Sequence, residues 1–161
     1  MLRPTQNAIV SEEDAIQREI ESDLELTPPK ERSKEEIIQK IKQLDHSTSR
    51  NGPKITHVAR NKNEYQRFKG IVIELRQLHP EKCQVCSMKH FEKKRGVYCE
   101  VHHLVAWSES QDDNSNNLVV VCATCHRKFH YAKDEEKIVM YKKLVPHFEG
   151  IRYTIPKYVQ I

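Results

Sequence analysis

Apolar positions along the chain fall into two patterns, helical stripes and short strand-like runs. Ile16, Ile20 and Leu24 lie on one face of a helix that Ser11 can cap, with Asp14 at the third position, and Pro28-Pro29 end it. Ser33 and Glu36 form a capping box, and Ile37, Ile41 and Leu44 make a second narrow stripe behind it. Residues 46–54 (HSTSRNGPK) are polar and turn-rich, as a linker would be. A third helix is predicted from Asn63 to Leu78, with Tyr65, Phe68, Val72 and Leu75 inward and Pro80 closing it. Gly70 inside that helix costs it about 1 kcal/mol relative to Ala. Beyond it the pattern changes. Gly96 to His103 reads as a strand, Ser108 to Asn116 as a polar loop, Leu118 to Val121 as a second strand and Cys122 to Tyr131 as a helix. Residues 134–145 give a last helix, with Ile138, Tyr141, Leu144 and Val145 inward, before a tail carrying Tyr153, Ile155 and Tyr158.

Composition narrows the class. The 161 residues are 37% hydrophobic and 31% charged, enough for one modest core that benefits from a staple. The longest apolar runs, Ile71-Val72-Ile73 and Leu118 to Cys122, fall far short of the roughly 20 residues a membrane span requires. The N-terminal MLRPTQNAIVSEED lacks a signal-like apolar stretch, so the expectation is a cytoplasmic protein without membrane contact. Net charge is +4 but unevenly spread: residues 1–45 sum to −4, residues 46–80 to +5 and residues 81–161 to +3. The first segment repels phosphate and the rest attracts it.

Four of the five cysteines form two pairs, Cys83-Gln-Val-Cys86 and Cys122-Ala-Thr-Cys125, separated by 35 residues. An odd count argues against a disulfide framework. Each pair can turn two thiolates toward one point, and two such pairs suit a tetrahedral zinc ion that would staple the small core. The fifth, Cys99, is read as a packed strand residue.

Four of the nine histidines are also patterned. His102-His103 end the first predicted strand, and His126 and His130 stand four apart on the following helix, hence on one face. Adjacent strand residues send their side chains to opposite sides, so one ring of the pair can face a metal while its neighbour faces a substrate. That arrangement predicts a second metal or catalytic centre beside the zinc.

The run Glu100-Val-His-His-Leu-Val, then Asp112-Asp-Asn-Ser-Asn-Asn117-Leu-Val-Val-Val-Cys-Ala-Thr-Cys-His126-Arg-Lys-Phe-His130, resembles the HNH endonuclease motif in its zinc-stapled form. Ile55-Thr-His-Val-Ala-Arg60-Asn61, leading into a helix and the first cysteine pair, is similar to the approach to the HNH domain in 5-methylcytosine-specific restriction enzyme A and its relatives. The resemblance covers residues 55–132 and implies an α+β fold, a small ββα-metal core of treble-clef type with a four-cysteine zinc site, flanked by helices. Residues 1–54 would be a helical extension and linker, and residues 133–161 a helix and tail packed on the nuclease domain.

The resemblance implies roles as well. His103 would be the general base, off the core and away from the metal, while His102 and His126 hold one divalent cation such as Mg2+, Mn2+ or Ni2+, with His130 as a third ligand or phosphate donor. Asn117 would brace the loop so that the base keeps its angle, and Glu100 would orient a ligand. Arg127 and Lys128 would contact phosphates of a double-stranded DNA substrate. Cys83, Cys86, Cys122 and Cys125 would hold structural Zn2+. Leu104-Val-Ala-Trp107 replaces the proline common after the histidine pair, and the loop Ser108-Glu-Ser-Gln-Asp-Asp lacks the usual glycines; Trp107 is read as core. The N-terminal helices offer a surface for a second copy or a partner protein. The competing class is a zinc-stabilised nucleic-acid-binding module without catalysis. The biological setting implied is restriction and defence or phage DNA processing.

Overall fold

In a computed structural model the described residues are 12–26, 30–46 and 61–159. The chain divides into two units, Met1–Lys30 and Glu31–Ile161. The first contributes α1 (Glu12–Leu26), a single amphipathic helix on the predicted stripe. The Ser11 cap, Pro28-Pro29, nearly all of the predicted linker and the approach segment Ile55–Arg60 lie outside the described residues.

In the second unit, α2 (Lys34–His46) starts where the capping box predicts, with Glu36 N donating to Ser33 Oγ at 3.2 Å. Its buried Ile37 and Ile41 face α3 (Lys62–Leu78), which Asn61 caps by accepting from Glu64 N at 2.9 Å. Polar ties reinforce this packing. Arg32 pairs with Glu74 and donates to Gln77 Oε1 at 2.9 Å, and Asp45 accepts from Ser115 N at 2.8 Å. A Cβ at Gly70 would stand 3.5 Å from a Leu44 methyl, so the glycine marks the close approach of the two helices. α2 therefore belongs to the same unit as the sheet, although sequence alone grouped it with the extension.

The sheet has two antiparallel strands, β1 (Glu100–His103) and β2 (Leu118–Val121), in the register Glu100↔Val121 through His103↔Leu118. β2 matches its apolar run. β1 is only the last half of the predicted strand, because residues 91–98 fold back on themselves: Tyr98 N donates to Phe91 O and Lys93 N to Gly96 O, each at 2.9 Å, with Gly96 at φ 76° making the turn. Between the strands lie a helical turn, α4 (Trp107–Ser110), and a 3-10 turn, Ser115–Asn117. Next come α5 (Ala123–Tyr131) and α6 (Asp134–Lys142), the latter shorter than predicted because Val145 N leaves the helix to bond Gln84 O at 2.9 Å. Val119, Val121, Leu104, Phe129, Met140 and Tyr141 form the core that joins sheet, α5 and α6.

Gln84, inside the first cysteine pair, ties this core together. Its Oε1 accepts from Val120 N at 2.7 Å, and its Nε2 donates to Val145 O at 2.7 Å and to Tyr153 Oη at 3.0 Å. It is 2% exposed. The result is a small ββα core with a four-cysteine cluster at one end and helices around it.

Candidate metal centre and active site

The four paired cysteines converge. Their sulfurs all lie within 4.8 Å of one another, and Cys86 Sγ is 3.8 Å from Cys122 Sγ. Four sulfurs about 2.3 Å from a tetrahedral zinc ion stand about 3.8 Å apart, so the spacing fits the metal. Backbone amides support the thiolate form: Val85 N, Met88 N and Cys125 N each donate to a cysteine sulfur at 3.4 Å. The charge balance points the same way. A hydrogen bond from the Cys125 thiol holds Cys83 well below the ordinary thiol range, while that bond and burial push Cys125 up. Burial also raises Cys122. Charge at Cys83 adds to the rise at Cys122 and Cys125, a crowding that a dication relieves. Cys99 lies apart from the cluster, fully buried on the approach to β1.

The second cluster sits along β1 and α5. Ligand atoms of His102, His126 and His130 lie within 4.8 Å of one another. His126 Nε2 and His130 Nε2 are 3.1 Å apart, about the spacing of two adjacent nitrogens bound roughly 2.1 Å from one ion. His126 Nδ1 faces Glu100 Oε1 at 3.1 Å; the ring donates there, which leaves Nε2 as its electron-pair side. Phe129 stacks flat on His102, with centroids 4.5 Å apart at 6°, and fixes that ring. A divalent cation fits this donor set of neutral imidazoles backed by a carboxylate.

His103 turns the other way. Its Nε2 meets Asp113 Oδ1 at 2.8 Å, and its ring stacks on Phe68 with centroids 5.3 Å apart. Both His103 and Asp113 are 2% exposed. The expectation that His103 stands off the core is therefore corrected: α3 covers it, and a buried carboxylate grips it. Sequence reasoning missed Asp113, which looks like any acidic loop residue. Its one signal is the pair Asp112-Asp113 within a loop that must close over a histidine.

Asn117 is fully buried and holds that loop. Its Oδ1 accepts from Val105 N at 2.9 Å, and its Nδ2 donates to Val105 O at 3.0 Å and to Asp112 O at 2.9 Å. Its own carbonyl accepts from Leu104 N at 2.8 Å. Asn117 thereby fixes both ends of the segment between His103 and Asp113. Tyr141 Oη adds a bond to Leu104 O at 3.1 Å. Trp107, expected in the core, is only half-buried, because α4 lies on the surface with no buried residue. Arg127 and Lys128 are exposed on α5, with Lys128 Nζ 2.9 Å from Glu136 Oε1.

Residues 83–132, bounded by the first cysteine pair and the end of α5, match the family model for HNH endonuclease. The match spans about a third of the chain and marks this segment as HNH-like. A relative shares 38% identity over 42 residues, the type IV methyl-directed restriction enzyme EcoKMcrA of Escherichia coli (strain K12). That match covers 26% of this chain and 15% of the relative. No solved structure matches. The HNH segment contains both metal-type clusters, Glu100, His103, Asp113 and Asn117. Among the described residues no helix is long and apolar enough to cross a membrane.

Proposed function

We propose that this chain is a metal-dependent endonuclease that hydrolyses phosphodiester bonds of double-stranded DNA in the cytoplasm, in restriction and defence or in phage DNA processing. The observation that carries this reading is the divergence of two neighbouring rings, His102 toward His126 and His130, and His103 toward Asp113. A divalent cation such as Mg2+, Mn2+ or Ni2+ in the three-histidine cluster would neutralise charge at the scissile phosphate and the leaving 3′ oxygen. The chain's own residues do the rest. Asp113 holds the His103 ring through Nε2, and His103 would take the proton from the attacking water. Asn117 keeps the intervening loop, and hence the base, at a fixed angle. Glu100 orients His126, and His130 completes the ligand set or donates to phosphate. Arg127 and Lys128 lie on the exposed side of α5 for backbone contacts. Zinc held by Cys83, Cys86, Cys122 and Cys125 fastens β2 and α5 in place. Residues 55–132 act as the nuclease domain with residues 133–161 packed on it. The separate unit Met1–Lys30 carries α1, which offers a surface for a second copy or a partner protein.

The test is incubation of purified, zinc-loaded protein with plasmid and with single-stranded DNA, after removal of loosely held cations and addition of Mg2+, Mn2+ or Ni2+. Cation-dependent cutting that His126→Ala abolishes supports the proposal. Duplex binding with no cutting under any of these cations would establish the binding module instead.

A further inference from the structure

The segment from Lys82 to Tyr98 does more than carry two zinc ligands. It is a doubled-back arm, closed by bridges Lys82↔Lys89 and Glu92↔Val97 and by Cys83 N to Met88 O at 3.0 Å. Two large apolar side chains stand out from it, Met88 at 67% exposure and Phe91 at 62%. The Phe91 ring is held rather than loose, stacked nearly parallel on Tyr98 with centroids 4.9 Å apart at 10°. Around it the arm carries Lys82, Lys89, Lys93, Lys94 and Arg95 against a single acid, Glu92. Lys82, Lys89, Lys94 and Arg95 are exposed.

We propose that residues 82–98 are a second DNA-contacting surface, gripping duplex beside the cut through Lys89, Lys94 and Arg95 on phosphates and through Phe91 against the groove. This rests on the nuclease reading for its partner. Charge complementarity selects the occupant: a cationic arm around an exposed apolar ring suits a duplex polyanion, with apolar sugar edges in its groove and base steps that an apolar wedge can open. Position selects the place. Tyr98 and His103 are five residues apart on one nearly extended segment, at most about 17 Å. That is about five base-pair steps of about 3.4 Å each, so one duplex can meet both the arm and the histidines. The rigid stack removes the ordering cost that a mobile side chain would carry on binding.

Fluorescence anisotropy of zinc-loaded protein with a labelled duplex tests the arm, with Ca2+ added as a probe and the salt concentration varied. Each phosphate contact contributes about 0.9 to the slope of log affinity against log salt, so K94A/R95A should lower the slope by about 2. Phe91→Ser should weaken binding by about 5- to 100-fold with little change in slope. Phe91→Tyr should restore most of the affinity. Zinc content and circular dichroism equal to wild type confirm that each variant is folded. Unchanged affinity and slope in both K94A/R95A and Phe91→Ser would overturn the proposal. So would a Phe91→Ser effect confined to self-association in sedimentation, which would make the surface a protein contact. Cutting by the arm variants in otherwise wild-type protein, read beside their binding, separates the two readings. A protein that cuts DNA with a dispensable arm refutes the arm alone; a protein that never cuts, yet loses binding with the arm, refutes the nuclease alone.

Discussion

Replacing Asn117 by Asp changes one atom's chemistry at a site with no solvent. The side-chain oxygen can still accept from Val105 N. The Nδ2 that donates to Val105 O at 3.0 Å and Asp112 O at 2.9 Å becomes an oxygen facing two carbonyls. Two neutral hydrogen bonds are lost, each worth about 1 kcal/mol net, and the Asp112 carbonyl is left facing a carboxylate at about 1–3 kcal/mol, while Val105 O keeps the Ser110 hydroxyl at 3.3 Å. The expected loss is about 3–5 kcal/mol, a large part of the 5–15 kcal/mol typical of a domain. The carboxyl also adds a sign that can be checked. A buried acid whose second oxygen faces two carbonyls has a folded-state pKa above its unfolded value, so the penalty shrinks as pH falls and the protonated form regains a donor. Urea unfolding of the zinc-loaded protein between pH 8 and 6, followed by circular dichroism against wild type at each pH, reads both effects. A variant within 0.5 kcal/mol of wild type, or a deficit that grows as pH falls, would refute the placement of the Asn117 amide.

Cys125→Ser should unfold the HNH segment, since structural zinc contributes folding free energy on the order of 10 kcal/mol; a folded spectrum with full zinc by atomic absorption would contradict the site. Glu100→Gln should weaken the catalytic cation about 10- to 100-fold while leaving zinc at one per chain, as calorimetric titration with Mn2+ can show. His103→Ala should cut the rate about 10²- to 10⁴-fold with duplex affinity retained. It should also cost about 2–4 kcal/mol by removing the bond to Asp113 and emptying the space beside Phe68; wild-type cutting would end the general-base assignment. Finally, burial lowers His147 to about 4, and burial with the neighbouring His147 lowers His79 to about 3. Both sit below the unfolded value of about 6.5, so the unfolded chain takes up protons first. Stability should be complete above pH 6.5 and drain by a few kcal/mol between pH 6.5 and 4. His147→Gln should flatten that limb, and an unchanged pH dependence of melting would rule out its part.

Much of the architecture was legible because it rests on local pattern. The Leu118–Val121 run is apolar throughout and is buried along its whole length as a strand, and the α3 stripe predicts a start at Asn63, one residue inside the start that the Asn61 cap sets. The two histidine directions followed from strand alternation. What stayed hidden depends on long-range polar pairs that leave no period. Gly96 to Tyr98 reads as strand by composition, yet Phe91 takes its hydrogen bonds first. α2 carries a narrow stripe, and only Arg32–Glu74, Asp45–Ser115 and the Gly70 gap show where it docks. Asp113 becomes visible only once His103 is seen to need a partner. The Gln84–His147–His79 chain, with contacts of 3.1 and 2.9 Å, joins residues more than 60 positions apart, which no window along the sequence can capture.

Gln84 gives the chain a chemical vulnerability. It lies between Cys83 and Cys86 of the four-cysteine cluster, and its amide bonds Val120, whose strand partner Val101 immediately precedes His102. Oxidants that join cysteines as disulfides take zinc away from its ligands, and Cys86 and Cys122 already stand 3.8 Å apart. Loss of the ion would free the Cys83–Cys86 loop, release Gln84 from β2 and let the sheet carrying the histidines slip. Cleavage would then answer to the redox poise of its surroundings through one uncharged side chain. Peroxide titration, with zinc release and DNA cutting followed together, would show the two falling in step, and a reductant with added zinc would bring both back.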